Sequence, residues 1–225
     1  GLKLGIYSCA AEKTCAGYLG SLGHEDADAQ RFADWGIDYL KYDYCNAPTD
    51  QASAMARYER MGQALKKAGR PIVYSICEWG DRAPQVWARQ AGGHLWRVSG
   101  DLFDSWVDVW VPQPGYYGRG VDQAFDRAAA LATAAGPGGW NDLDMLVLGL
   151  KGKGAVPGAG LSQREYRTHL SLWILACSPL MLGCDLDGLG EEELGWLRNA
   201  EALAVNQDAL GIPARRVLQQ GTCEA

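Results

Sequence analysis

A chain of 225 residues with 48% hydrophobic content is long enough to bury one large core or two small ones. A net charge of −6 and a pI near 5.1 count against nucleic acid as the main partner. No apolar run reaches the ~20 residues that cross a bilayer, so no membrane partner is expected.

Taken in order, residues 3–7 read as a short strand with Gly5 inside it, followed by a polar loop over 8–17. Residues 24–35 read as a helix led by acidic residues, with Ala29, Phe32 and Ala33 as its apolar stripe. A buried strand is expected over 39–43. The next helix, 53–68, takes Ser53 as its cap and stops at Gly69 before Arg70-Pro71. The β-branched run 72–76 is a strand that leads into Cys77-Glu78-Trp79-Gly80. Residues 84–91 form a short helix, 95–98 a brief strand and 121–135 an Ala-rich helix closed by Gly136-Pro137. Residues 138–145 are a strand end or loop with two carboxylates. A helix over 162–176, a last strand over 179–183 and helices over 191–199 and 201–205 complete the order.

Six strands alternating with helices imply a parallel sheet covered by helices. The polar clusters fall just after strands, at the edge where barrels and open α/β sheets carry their sites. GxGxxG and GxxxxGK[ST] are both missing, which lowers nucleotide binding. Nine Trp and ten Tyr against three Phe give many rings with a polar edge. Such rings suit a site that stacks a sugar face and bonds its hydroxyls, although a Trp-rich core accounts for most of them equally well. Seven Cys is an odd number, so at least one is free or paired outside this chain. No Cys/His cluster has zinc spacing.

Strand side chains alternate faces, so Lys41 and Asp43 point the same way. A nearby cation favours an ionised carboxylate, which makes Asp43 a candidate nucleophile; an ion pair closing the strand fits the same residues. Glu78 lies between Cys77 and Trp79. Asp101 stands among aromatic and apolar residues and is suited to keep its proton as a general acid, although Arg97, if close, would oppose that. Two such carboxylates are the usual pair for glycosidic cleavage. Asp104 reads as a helix cap or loop staple, and Asn141-Asp142 as a loop tie. Asp142 and Asp144 lack the further oxygen ligands a hard cation needs, so no metal is expected. His24, His94 and His169 have no visible catalytic partner. Cys77 reads as packed rather than reactive. Cys15 and Cys45, in loops after strands, could bridge.

Six motifs stand in order: Lys13-Thr14-Cys15-Ala16-Gly17-Tyr18; Tyr39-Leu40-Lys41-Tyr42-Asp43; Cys77-Glu78-Trp79; Trp96-Arg97 with Asp101 and Asp104-Ser105-Trp106; Gly136-Pro137-Gly138-Gly139-Trp140-Asn141-Asp142 with Asp144-Met145; and Asn206-Gln207-Asp208. Together they closely resemble the α-galactosidases of glycoside hydrolase family 27, from Gly1 to about Gly211. The resemblance implies a TIM (β/α)8 barrel and a retaining reaction with no cofactor. It makes Asp43 the nucleophile and Asp101 the general acid/base. Lys41, Arg97 and Asp144 would bind galactose hydroxyls, Trp79 and Met145 would pack on the sugar, and Cys77 or Glu78 would read its 2-position. Cys15 would pair with Cys45 in a disulfide. Cys9 stands where many relatives have Asp.

The same resemblance implies that the last six βα units are present and the first two strands missing. Residues 1–212 would be a partial catalytic domain, and 213–225 the start of a linker towards a β-domain. Six strands cannot close a barrel, so the 225 residues alone are expected to be inactive. The implied partners are α-galactoside oligosaccharides or glycoconjugates, and the implied location is secreted, periplasmic or lumenal. N-acetylgalactosaminides and β-L-arabinopyranosides are the alternative substrates.

Overall fold

The computed structural model describes residues 1–112, 115–153, 160–220 and 223–224. They divide into the units Gly1–Arg97 and Val98–Ala225.

In the first unit four strands pair in parallel in chain order: β1 (Gly5–Cys9), β2 (Tyr39–Asp43), β3 (Val73–Cys77) and β4 (Leu95–Arg97). Helices α1 (Glu25–Asp34) and α2 (Gln51–Lys67) make the first two crossovers. The register sets Cys9 beside Asp43 and Asp43 beside Cys77, so three strand ends are level. Paired residues share a face, which puts Tyr7, Lys41 and Ser75 in one row and Cys9, Asp43 and Cys77 in the next.

Leu40 and Tyr42 point to the opposite face and are fully buried. There Tyr58 of α2 anchors an aromatic cluster. Its ring lies edge-on to Tyr42 at 5.8 Å, stacks on Tyr44 at 5.6 Å and meets Trp87 at 5.5 Å. Two of the polar tips are satisfied within the cluster: the Tyr58 hydroxyl donates to the Tyr42 carbonyl, and the Tyr74 hydroxyl to the Tyr58 carbonyl. At these two positions Tyr rather than Phe is useful because the ring also ties one backbone segment to the next.

Helix α2 begins three residues earlier than a Ser53 cap would allow. Asp50 is the cap, and its carboxylate accepts the Ser53 N–H at 2.8 Å. The expected helix over 84–91 is a 3-10 turn, Pro84–Val86, followed by further turns.

In the second unit the chain forms a hairpin, β5 (Val109–Val111) and β6 (Tyr116–Gly118), where the sequence suggested no element. Helix α3 (Val121–Ala130) ends before a 3-10 turn at Ala132–Ala134, shorter than the expected 121–135. Strand β7 (Trp140–Asp142) follows. Helix α4 (Gln163–Leu175) opens with a capping box between Ser162 and Glu165. Helices α5 (Glu191–Leu197) and α6 (Ala200–Asn206) come next, then β8 (Gln219–Gln220) and β9 (Cys223–Glu224). The expected strand over 179–183 is reduced to one parallel bridge, Leu146 to Leu182. His169 is a buried core residue: its Nε2 accepts the Val147 N–H, and burial pushes its pKa down to about 3. The segment expected to start a linker is tied down, with Ala214 N–H donating to the Leu175 carbonyl and Arg216 paired with Asp126.

Gly62 lies inside α2, where Ala would ordinarily stabilise the helix by about 1 kcal/mol. A Cβ at Gly62 would overlap the Ala91 carbonyl oxygen. Gly62→Ala is therefore expected to destabilise the protein by about 1–3 kcal/mol. Chemical denaturation checks this, and a rise in stability would show that the contact yields easily.

Candidate active site

Asp43 ends β2 with its carboxylate held on both oxygens. Oδ1 accepts the Tyr44 N–H at 2.8 Å, and Oδ2 accepts the Tyr7 hydroxyl at 2.8 Å. Burial and the contact with Asp43 raise the Tyr7 pKa, so Tyr7 remains a donor. Cys15 Sγ lies 3.2 Å from the same Oδ2. Cys15 is bonded to Cys45, with Cα atoms 5.1 Å apart, and this disulfide joins the loops after β1 and β2. Asn46, just beyond it, sits at φ +60 and donates towards the Lys13 and Thr14 carbonyls. Among the described residues the one cluster with metal-ligand proximity is Cys15, Asp43 and Cys45, and both its sulfurs are committed to the disulfide. Cys9 is a buried thiol whose pKa is pushed up to about 11 by burial first and by Asp43 second.

The end of β3 separates two residues that sequence could not. Cys77 is level with Asp43 on the same face, with Arg97 Nη1 3.9 Å from its sulfur. Arg97 is itself buried. Glu78, one residue on, turns away. Its Oε2 accepts the Arg82 N–H at 2.7 Å and pairs with the Arg82 guanidinium at 3.3 Å. Its Oε1 is buried without a hydrogen-bond partner among the described residues. Burial raises the Glu78 pKa to about 7, with Arg82 opposing.

Arg82 escaped the sequence reading, although its spacing four residues after Glu78 was a signal. It also donates to the Thr49 carbonyl, lies over the Tyr44 ring at 4.8 Å, and receives Gln51 and Trp87 Nε1 on its own carbonyl. The loop it closes carries Trp79 at φ +61 and Gly80 at φ +77. Tyr7 is a second site residue without a signal in the sequence, because only the register of β1 against β2 puts it on the Lys41–Asp43 face.

In the second unit Asp144 is held at φ +82, a backbone region a non-glycine residue rarely enters. Its Oδ2 accepts the Leu102 N–H at 2.9 Å and its Oδ1 the Met145 N–H at 2.8 Å. Asp142 Oδ1 accepts the Asp144 N–H, and Trp173 Nε1 donates to the Asp144 carbonyl. Asp144 therefore sits against the residue that follows Asp101. Asp101 itself is exposed, which corrects the expectation of apolar surroundings. The neighbour Leu102 takes the buried position instead. Met145 is half exposed. Asp104 is a loop staple and not a helix cap: it accepts the Gly152 and Leu161 N–H groups and the Tyr166 hydroxyl. Asn141 ties its loop to the Leu131 carbonyl.

The family model described as Alpha galactosidase A (Melibiase_2) matches residues 1–208. A curated Alpha-galactosidase A of Cellvibrio japonicus is 43% identical over 224 residues, covering 100% of this chain and 52% of that protein. An alpha-galactosidase of Oryza sativa subsp. japonica is 44% identical, covering 96% of this chain and 47% of its own length. A solved structure from Bacteroides fragilis superposes with a TM-score of 0.93 at 49% identity, over 100% of this chain and 47% of that one. The chain thus spans about half the length of the relatives it matches. Its parallel α/β fold is that of part of a TIM (β/α)8 barrel.

Two outcomes follow from this geometry. Replacing Cys15 and Cys45 by Ser opens a cross-link between residues 30 apart in sequence, and the expected loss is about 3–4 kcal/mol by loop entropy. Urea titration reads it, and no loss would mean the loops hold themselves. Glu78 has a folded pKa above its ordinary value, so it binds its proton more tightly when folded. Its contribution is complete below about pH 4.5 and fades as pH rises through about 7. Glu78→Gln should flatten that part of the stability–pH curve, and an unchanged slope would assign it to another group.

Proposed function

The chain belongs to the Alpha galactosidase A family, and we propose that it carries the catalytic residues of a retaining α-galactosidase. Asp43 attacks the anomeric carbon of a terminal α-D-galactosyl residue while Asp101 gives its proton to the departing oxygen. The C–O bond breaks and a galactosyl ester forms on Asp43. Asp101 then takes a proton from water, whose oxygen attacks the same carbon and releases Asp43.

The observation that carries this reading is the fixing of Asp43. A nucleophile gains from a single pre-set orientation, and Tyr7, Tyr44 and the disulfide loop leave its carboxylate one arrangement. Lys41 and Arg97 donate to sugar hydroxyls, and Asp144 accepts. Trp79 and Met145 supply apolar surface. Cys77, on the Asp43 face, reads the 2-position, and Glu78 acts through Arg82 on the Trp79 loop.

The related alpha-galactosidase of Saccharomyces cerevisiae, 36% identical with a TM-score of 0.85, was solved with raffinose. That supports α-galactosyl oligosaccharides as substrates here. The disulfide supports an oxidising location, whether secreted, periplasmic or lumenal.

A mechanism-based fluorinated galactoside should label Asp43 in the active enzyme, as peptide mapping would show. Label on another carboxylate would overturn the assignment. Asp43→Asn should lower kcat at least about a thousandfold with little change in stability. A panel with N-acetylgalactosaminide and β-L-arabinopyranoside decides the sugar, and preference for either would replace galactose.

A further inference from the structure

The hairpin β5–β6 is built onto the segment that holds Asp101. Arg119 N–H donates to the Asp101 carbonyl at 2.8 Å, and Phe103 N–H donates to the Arg119 carbonyl at 2.9 Å. Leu102 and Arg119 form a parallel bridge. The side chain of Asp108, at the foot of β5, binds both the Arg119 guanidinium and the Gly120 N–H. Glycine is required on this join: a Cβ at Gly118 would overlap the Phe103 ring, and one at Gly120 the backbone of Val107.

The two faces of the hairpin differ. On one, Tyr116 meets the Phe103 ring edge-on at 6.1 Å. On the other, Trp110 stands directly opposite Tyr117, with ring centroids 4.9 Å apart. Trp110 is 52% exposed and Tyr117 55%. Arg119 follows β6, its guanidinium paired with Asp108. A paired Trp and Tyr left half in water is an unusual use of large apolar surface.

We propose that Trp110 and Tyr117 form a platform for the sugar on the leaving-group side of the bond that is cut. The proposal rests on the α-galactosidase reading above. A general acid protonates the oxygen that departs, so it must face the leaving group. The hairpin is anchored to the backbone of that acid, and Tyr117 is roughly 7 Å along the strand from the Arg119 anchor at about 3.4 Å per residue. Rings with polar edges stack on the C–H face of a pyranose and leave its hydroxyls for water. The ligand class is therefore an α-galactosyl oligosaccharide, whose second sugar the platform holds.

The test compares two substrates in the active enzyme. α-Galactosyl fluoride has no leaving sugar, whereas raffinose does. Trp110→Ala and Tyr117→Ala should each lower kcat/KM for raffinose about tenfold, mainly through KM, and leave α-galactosyl fluoride within about twofold. Trp110→Phe should restore most of the loss. Both sites are exposed, and an unchanged Tm would show that the fold is intact. Equal losses on both substrates, or no loss on raffinose, would overturn the platform while leaving the catalytic assignment standing. Concentration-dependent self-association that Trp110→Ala abolishes would instead make this face a contact between copies and also overturn it. Failure of the unsubstituted full-length enzyme on both substrates would refute the α-galactosidase reading and the platform with it.

Discussion

The pairing of β1, β2 and β3 in one register is the constraint on which the site depends. It sets Cys9, Asp43 and Cys77 level, and so decides which side chains can meet. A slip of one residue would turn Asp43 into the helix-covered core and bring Tyr42 out in its place. The aromatic cluster prevents that slip. Tyr42, Tyr58 and Tyr74 interlock through ring contacts, with the Tyr58 and Tyr74 hydroxyls bonded to backbone carbonyls, and a slip would break all of these contacts together. Stability on one face of the sheet thus specifies chemistry on the other.

Where the strands end, the chain accepts backbone strain. Asn46, Trp79 and Asp144 all adopt left-handed conformations that cost a non-glycine residue of order 1 kcal/mol each. Each is compensated locally. Asn46 is bonded to the opposite loop, Trp79 lies in the loop closed by Glu78 and Arg82, and Asp144 accepts two backbone N–H groups. The compensation comes from charged or amide groups with several acceptor or donor positions, so one side chain can brace a loop through more than one bond. Rigid loops of this kind present side chains with little reorganisation when substrate arrives.

Much of this was legible in the residues. The alternation of 39–43 announced that Lys41 and Asp43 share a face, and the punctuation at Gly69 and Gly136 marked the ends of helical segments. The polar clusters expected after strands lie at the level carboxyl ends of β1, β2 and β3. Other features were not legible because they depend on partners distant in sequence. Tyr7 reaches Asp43 across a strand pair, and Glu78 is distinguished from Cys77 only by the sheet's pleat. The hairpin escaped because strands of three residues carry too little periodicity to register. Asp101 was misjudged for a related reason: apolar neighbours in sequence become apolar neighbours in space only when the backbone turns them the same way.

The disulfide has a consequence for the order in which the molecule is assembled. Cys15 follows β1 and Cys45 follows β2, so the bond joins the ends of two strands that pair with each other, and both strands precede Cys45. In a chain emerging from its N-terminal side into an oxidising space, the bond can form while later strands are still absent. Two strand ends are then covalently matched before β3 arrives, and the incoming strand meets an edge whose register has already been settled.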